Sequence, residues 1–216
     1  MIEVVEYVDA EGNSPFARWF NRLDRQAAAK VTVALLRMEQ GNLSNAKALG
    51  GGLSEYKIHF GPGYRVYFAM QGQRMIILLG GAARHGRIRT SPQPSPAGRR
   101  TSAGRAPGCT DMVLTRSFKE TVAERAAREP EFREALLEEA VSLLVAGDVQ
   151  TGKAMLRDLI NATMGFETLA RATGTPSKSL MRMFGPKGNP TANKLFAVLQ
   201  AVQKSQGIEL TVSAAR

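Results

Sequence analysis

Two groups of polar side chains in this sequence have residue types and spacing that suit contact with a nucleic acid. In the first group, hydroxyl and cationic side chains cluster at helical spacing near residue 180; its members are Ser177, Lys178, Ser179 and Arg182. Lysine, arginine and serine donate hydrogen bonds to phosphates and to base edges in the major groove. This group therefore predicts a surface that binds duplex DNA.

The second group lies in two short segments, 56–60 and 64–69, that are rich in aromatic and β-branched residues. Period-two alternation places Lys57, His59 and Arg65 on one face of the expected sheet. An imidazole and two cations in this arrangement could transfer the protons and stabilise the phosphorane of RNA cleavage. The solvated face of an antiparallel sheet has the same pattern, so alternation alone does not decide between these interpretations.

Residues 165–184 predict the two helices that must position the first group. Gly174 suits a sharp turn between them. Thr175 is expected to cap the second helix, with Pro176 at its first position. Leu180 lies on the apolar side of that helix, away from the cations. The pattern predicts a helix-turn-helix, although many helix pairs with this spacing do not contact DNA.

Charge is distributed unevenly along the 216 residues, which carry a formal net charge of +10. Residues 83–110 contain 6 arginines and no acid. Residues 165–204 contain 6 cations against Glu167 alone, whereas residues 111–164 contain 10 acids against 7 cations. A basic surface around a helix-turn-helix favours phosphate binding, and the acidic stretch suits a protein partner. Ordinary solvated helix faces would show the same division of charge.

The single cysteine and the hydropathy of the chain indicate its cellular location. Cys109 is the single cysteine, so the chain cannot form an internal disulfide, and a reducing cytoplasm is the simplest location. We see no signal peptide and no apolar run long enough to span a membrane. The sequence gives no reason to expect a metal ion, a cofactor or a membrane contact.

The expected fold class is α+β. Residues 1–82 predict a small β-sheet domain with two N-terminal helices, residues 83–111 a disordered basic linker, and residues 112–216 an all-α domain with its helix-turn-helix at 165–184. Within the first part, we expect a strand at 2–7, helices at 14–23 and 25–39, a loop at 43–53 and then a three-stranded meander.

Four segments of the N-terminal part carry a family resemblance: FARWF at 16–20, LRMEQGN at 36–42, GLSEYKIHFGPGYRVYF at 52–68 and IILLGG at 76–81. They resemble the HigB/RelE-type toxins of toxin–antitoxin modules, in the branch described as killer proteins. The resemblance implies a compact sheet that enters the ribosomal A site and cleaves mRNA. It makes Arg65 the leading catalytic candidate, followed by Tyr64, Lys57 and His59.

The chain departs from that family after Gly81. Such toxins usually continue with Gly-Gly-Asp-Lys and a C-terminal helix, whereas this chain continues with Ala82-Ala83-Arg84-His85. The expected lysine and closing helix are absent from the sequence, so enzyme activity stays open. The abrupt change, together with a methionine at position 112 that could start a protein, suggests that a frameshift fused two adjacent genes.

Two longer segments carry a second resemblance: FKETVAERAAREPEFREALLEEAVSLLVAGDVQTGKAMLRDLINAT at 118–163 and GFETLARATGTPSKSLMRMFGPKGNPTANKLFAVLQ at 165–200. They are similar to HigA-like addiction-module antitoxins with a Cro/C1-type DNA-binding domain. The resemblance implies antitoxin activity, homodimerisation and repression of the module's own operator. By position, the four residues near 180 would read bases or phosphates, and Lys187 and Asn189 would contact the DNA backbone.

The leading hypothesis is a fused toxin–antitoxin polypeptide. Its C-terminal half would bind operator DNA as a repressor and neutralise the toxin half, within one chain or between chains. The alternative is a working ribosome-dependent mRNA endonuclease in the N-terminal half. A third interpretation treats both halves as interaction modules that bind no nucleic acid. The expected partners are operator DNA, the ribosome with its mRNA, and a second copy of the chain.

Overall fold

A computed structural model describes residues 2–72, 75–83 and 114–211 of the chain. This part of the chain contains six strands and eight helices. In chain order they are β1 Glu3–Tyr7, α1 Pro15–Phe20, α2 Arg25–Glu39, β2 Ala46–Gly50, β3 Leu53–Ile58, β4 Tyr64–Gln71, β5 Met75–Ala83, β6 Thr115–Ser117, α3 Phe118–Arg128, α4 Pro130–Val145, α5 Val149–Ala162, α6 Gly165–Thr173, α7 Ser177–Met183 and α8 Ala192–Gln206.

The six strands form one mixed sheet in the order β2-β3-β4-β5-β1-β6. The strand β1 runs parallel to β5, and all other neighbours are antiparallel. Because side chains alternate between faces, Tyr56, Val66 and Phe68 join the core that α1 and α2 cover. A Cβ atom at Gly81 would lie 2.5 Å from the ring of Trp19, so β5 needs a glycine where α1 packs on it.

The expected fold class, a β-sheet domain followed by an all-α domain, is wrong. The C-terminal half contributes β6 to the sheet, and the two helices come between β1 and β2, as the strand expected at 2–7 implies, instead of preceding the sheet as the fold class states. Arg116 of β6 lies opposite Glu6 of β1, and its Nε is 3.2 Å from the buried carboxylate. This pair is 110 positions apart in the chain, and a strand of three residues is too short to show a period of two.

The segment expected as a loop at 43–53 also differs, because it contains β2. This strand pairs antiparallel with β3. Four of its five residues are exposed, so no alternation of apolar and polar residues marks it in the sequence. Backbone hydrogen bonds to β3 hold it in place without a buried side-chain face.

The predicted linker at 83–111 lies outside the described residues, except for Ala83, which ends β5. The predicted domain boundaries at 82, 111 and 112 therefore stay a prediction. The two halves of the described chain nevertheless pack together. The helices α4 and α5 contact α2, and buried apolar side chains from both halves form one continuous core.

Arg125 of α3 lies at the centre of this contact. It is 4% exposed. Its Nη1 and Nη2 donate hydrogen bonds to the carbonyl oxygens of Phe20 and Leu23, each at 2.7 Å, and its Nε donates to Glu129 at 2.8 Å. The guanidinium carbon is 4.7 Å from the ring centroid of Phe132. The buried charge is therefore both paired and hydrogen-bonded, as burial of a charge requires.

Ion pairs surround the buried contact, and the cations of α2 meet the acids of the C-terminal half. Lys30 lies 2.8 Å from Glu139, and Arg37 lies 2.9 Å from Asp148. The cations are more than a third exposed, so each pair contributes little to stability. Their shared polarity favours one orientation of the halves over others.

A second charged cluster lies where α2, α3 and α5 meet. Lys119 Nζ is 2.9 Å from Glu39 and 3.7 Å from Asp158. Burial raises the pKa of Asp158 to about 6, with a further contribution from Glu39 and an opposing one from Lys119. The Asp158 carboxylate is thus ionised at neutral pH at a cost to the folded state.

We expect Arg125→Met to lower the free energy of unfolding by about 2–4 kcal/mol. The Leu23 carbonyl would lose the donor that Arg125 supplies, and the Phe20 carbonyl would keep only its longer hydrogen bond, from the Leu23 N–H. Chemical denaturation followed by circular dichroism measures this change. Arg128→Met is the matched control, since the Arg128 side chain is 60% exposed. Equal stabilities of the two variants would contradict the role assigned to Arg125.

The stability of the folded chain should depend on pH through Asp158. Its pKa is about 6 in the folded chain against an ordinary value of 3.8, so the folded state binds more protons between these values. Stability therefore falls as pH rises through this window. Asp158→Asn should remove that slope, with a relative gain of up to about 3 kcal/mol between about pH 4 and pH 7. Glu138→Gln, which removes an exposed carboxylate of α4, is the control.

Candidate functional site

The helices α6 and α7 lie within the range 165–184 and form a helix-turn-helix. Gly174 joins them with φ at 63°, in the left-handed region that favours glycine. Leu169 is fully buried on α6, and Leu180 is fully buried on α7. Phe184, just after α7, is 2% exposed. The apolar side of α7 therefore packs in the core, and its other side faces outward.

The start of α7 differs from the sequence prediction. Thr175 does not cap the helix, and Pro176 precedes the first helical residue instead of occupying it. The Thr175 hydroxyl accepts a hydrogen bond from Nζ of Lys194 at 2.9 Å. The side chain that was expected to cap α7 therefore ties the turn to α8. The Pro176 carbonyl oxygen accepts hydrogen bonds from the backbone N–H groups of Ser179 and Leu180.

The outer side of α7 carries the predicted DNA-binding residues. Lys178 and Arg182 are exposed and one helical turn apart, and Ser177 and Ser179 beside them are half-buried. None of the ion pairs in the described part of the chain involves either cation. Both are thus available to an anion from outside.

The loop after α7 carries the other two candidates, Lys187 and Asn189, and both are exposed. Lys153 of α5 binds the backbone of this loop. It is 2% exposed, and its Nζ donates hydrogen bonds to the carbonyl oxygens of Gly185 and Gly188. Burial lowers the pKa of Lys153. Sequence reasoning missed this residue, although a lysine between the apolar positions of α5 was a usable signal.

The candidate catalytic residues are only partly brought together. Lys57 and Arg65 lie opposite each other on β3 and β4. With the exposed His59 they line a shallow cavity of about 240 Å³. The Tyr64 side chain lies on the other face of the sheet, where its hydroxyl is 3.5 Å from Oδ2 of Asp24. Burial and this carboxylate raise the pKa of Tyr64, which does not suit it to act as a base.

Glu55 is a residue of this face that sequence reasoning missed. It is 7% exposed, and its carboxylate lies 3.3 Å from Arg65 Nε and 3.6 Å from Lys57 Nζ. Its position two residues before Lys57 places it on the same face of β3, which was a usable signal. The carboxylate orients both cations and competes with any phosphate that they would bind.

A cleft of about 730 Å³ lies between the end of α2 and the loop after α7. Glu39 and Asp158 line it beside Lys119, Lys153 and Arg157. The lining carries charges of both signs, so its electrostatics favour neither an anion nor a cation.

The described residues form neither a metal site of three ligands nor a helix able to cross a membrane. Within 2–72, 75–83 and 114–211, no three His, Cys, Asp or Glu side chains are placed to hold one metal ion. No helix in the same ranges is long and apolar enough to cross a lipid bilayer.

Comparison with known proteins gives one informative similarity. No family model matches the chain, and no solved structure matches it. A protein of Haemophilus influenzae (strain ATCC 51907 / DSM 11121 / KW20 / Rd), described as uncharacterized, is 36% identical over 67 residues, which cover 31% of this chain and 68% of that protein. Its description names no activity. Over the aligned segment, the chain belongs to the same family as this Haemophilus influenzae protein.

Proposed function

We propose that this chain is a fused toxin–antitoxin polypeptide whose C-terminal half binds operator DNA and represses transcription. One observation carries the proposal: α7 buries Leu180 in the core while Lys178 and Arg182 stay exposed on its outer side. A helix held in this way, after a tight turn, can enter the major groove with its polar side first.

The charge distribution supports DNA as the partner. Residues 165–204 carry 6 cations and a single acid, and they include the exposed Lys187 on the loop after α7. Basic side chains around the helix release counterions from the phosphates, which is the main source of affinity for DNA. Lys178 and Arg182 are exposed although the N-terminal half is docked on the same chain, so the docked half leaves the outer side of α7 open.

The contact between the halves supports an antitoxin role for α3, α4 and α5. Glu139 of α4 and Asp148, just before α5, pair with Lys30 and Arg37 of α2, and Arg125 of α3 binds the end of α1. Covalent linkage in one chain would hold such partners at an effective concentration of order mM. The docked helices lie on the helix side of the sheet and not over Lys57 and Arg65. We infer that they neutralise the toxin half through their bulk, by keeping it out of a narrow site such as the ribosomal A site.

The same proposal includes a homodimer and a cytoplasmic location. Dimers bind operators with two half-sites about one helical turn apart, as expected for the antitoxins that this half resembles. Operator DNA and mRNA as partners, together with the single Cys109, support a reducing cytoplasm.

The operator proposal predicts binding to the DNA immediately upstream of the coding sequence in an electrophoretic shift assay. Replacing both Lys178 and Arg182 with alanine should weaken binding at least about tenfold and flatten the salt dependence by about 0.9 per lost phosphate contact. The charge-matched control replaces Arg18 and Arg22, two exposed cations of the N-terminal half. Full affinity in the double variant of α7 would rule out α7 as the recognition helix.

A second candidate function is mRNA cleavage by the N-terminal half. The observation that favours it is the open cavity that Lys57, His59 and Arg65 line on the sheet face. Two cations and an imidazole are sufficient for phosphate binding and for proton transfer at a 2′-hydroxyl group. The ion pairs of Glu55 with both cations oppose this function.

If the second candidate is right, the full chain should cleave mRNA in a translation extract, and Arg65→Ala should reduce the cleavage rate by about 10²-fold. Primer extension on ribosome-bound mRNA locates and quantifies the cuts. Arg18→Ala, which removes an exposed cation of α1, should leave the rate unchanged. Absence of cleavage by the full chain would reject mRNA cleavage as a function of the intact chain and leave the repressor proposal, with its neutralised toxin half, standing.

A further inference from the structure

The outer side of α7 contains one apolar side chain that the fold does not explain. Met181 is 42% exposed. It lies one helical turn after Lys178, as Arg182 does, so the three side chains fall within an arc of about 100° on the outer side of the helix. The core contacts of this segment come instead from Leu180 and Phe184, which are 0% and 2% exposed.

An exposed methionine between two exposed cations has few suitable partners. A second copy of α7 is a poor one, because Lys178 and Arg182 of each copy would face like charges. Duplex DNA suits all three side chains, since its phosphates and guanine edges accept hydrogen bonds from the cations. Thymine is the base that presents an apolar group, its 5-methyl, in the major groove.

We propose that Met181 is a specificity-determining residue that packs on the 5-methyl group of a thymine while Lys178 and Arg182 bind the adjoining phosphates or guanines. The inference rests on the proposed operator binding and deepens it, because it names a base that the operator must contain. The methionine side chain is long, unbranched and polarizable, so it can reach a methyl group in the groove and adapt to it. The four polar residues of α7 alone do not distinguish thymine from the other bases in this way.

Methyl deletion on the DNA tests the contact directly. The probe is the duplex immediately upstream of the coding sequence, amplified once with dTTP and once with dUTP in its place, so that the second duplex lacks every thymine methyl. The full chain should bind the thymine duplex about fourfold more tightly per contacted methyl. Met181→Ala should bind both duplexes equally, with about the affinity that the parent chain has for the uracil duplex.

Two further variants separate this contact from other effects of the substitution. Met181→Leu keeps an apolar side chain and should keep a preference for the thymine duplex. Met70→Ala removes another exposed methionine, 38% exposed on β4, and should behave as the parent chain does. Equal binding of both duplexes by the parent chain, or an unchanged preference in Met181→Ala, overturns the assignment of Met181 while operator binding stands. Absence of binding to either duplex at low salt overturns the proposed function, and this inference with it.

Discussion

The joined architecture depends on the burial of one guanidinium group between the two halves. The end of α1 leaves carbonyl groups without partners inside the helix, as every helix end does. Arg125 donates to the carbonyl oxygen of Phe20, the last residue of α1, and to that of Leu23 in the loop that follows, and its guanidinium lies beside the Phe132 ring. A charge in this position is stable only while all of its partners are present, so the contact favours one arrangement of the halves.

In that arrangement some charges pair across the contact between the halves, and others stay exposed around α7. The acids of the C-terminal half face the cations of α2, as Glu139 faces Lys30 and Asp148 faces Arg37. The basic residues around α7 are left outside the contact. These pairs cancel acids of the C-terminal half locally against cations of α2, and they leave Lys178 as part of an uncompensated positive surface.

Features that depend on residues close together in the chain could be predicted from the sequence, and features that depend on distant residues could not. The helix-turn-helix followed from local spacing, because Gly174 and Leu180 act through neighbours within a few positions. Features that depend on distant partners were missed: β6 pairs with a strand 110 positions away, and Thr175 binds Lys194 instead of capping α7. The positions of Lys153 and Glu55 relative to their neighbours in α5 and β3 could have drawn attention to them. What they bind could not be predicted, because the loop after α7 and the strand β4 are distant from them in the sequence or lie on another element.

The strand β6 also affects the tendency of the N-terminal half to aggregate. It covers the outer backbone edge of β1, and without it a row of unpaired N–H and C=O groups would be open to strands of other molecules. Because β6 comes from the C-terminal half, a fragment that ends at Ala83 would expose this edge together with the apolar surface around Phe20. The C-terminal half therefore also protects its neighbour from aggregation.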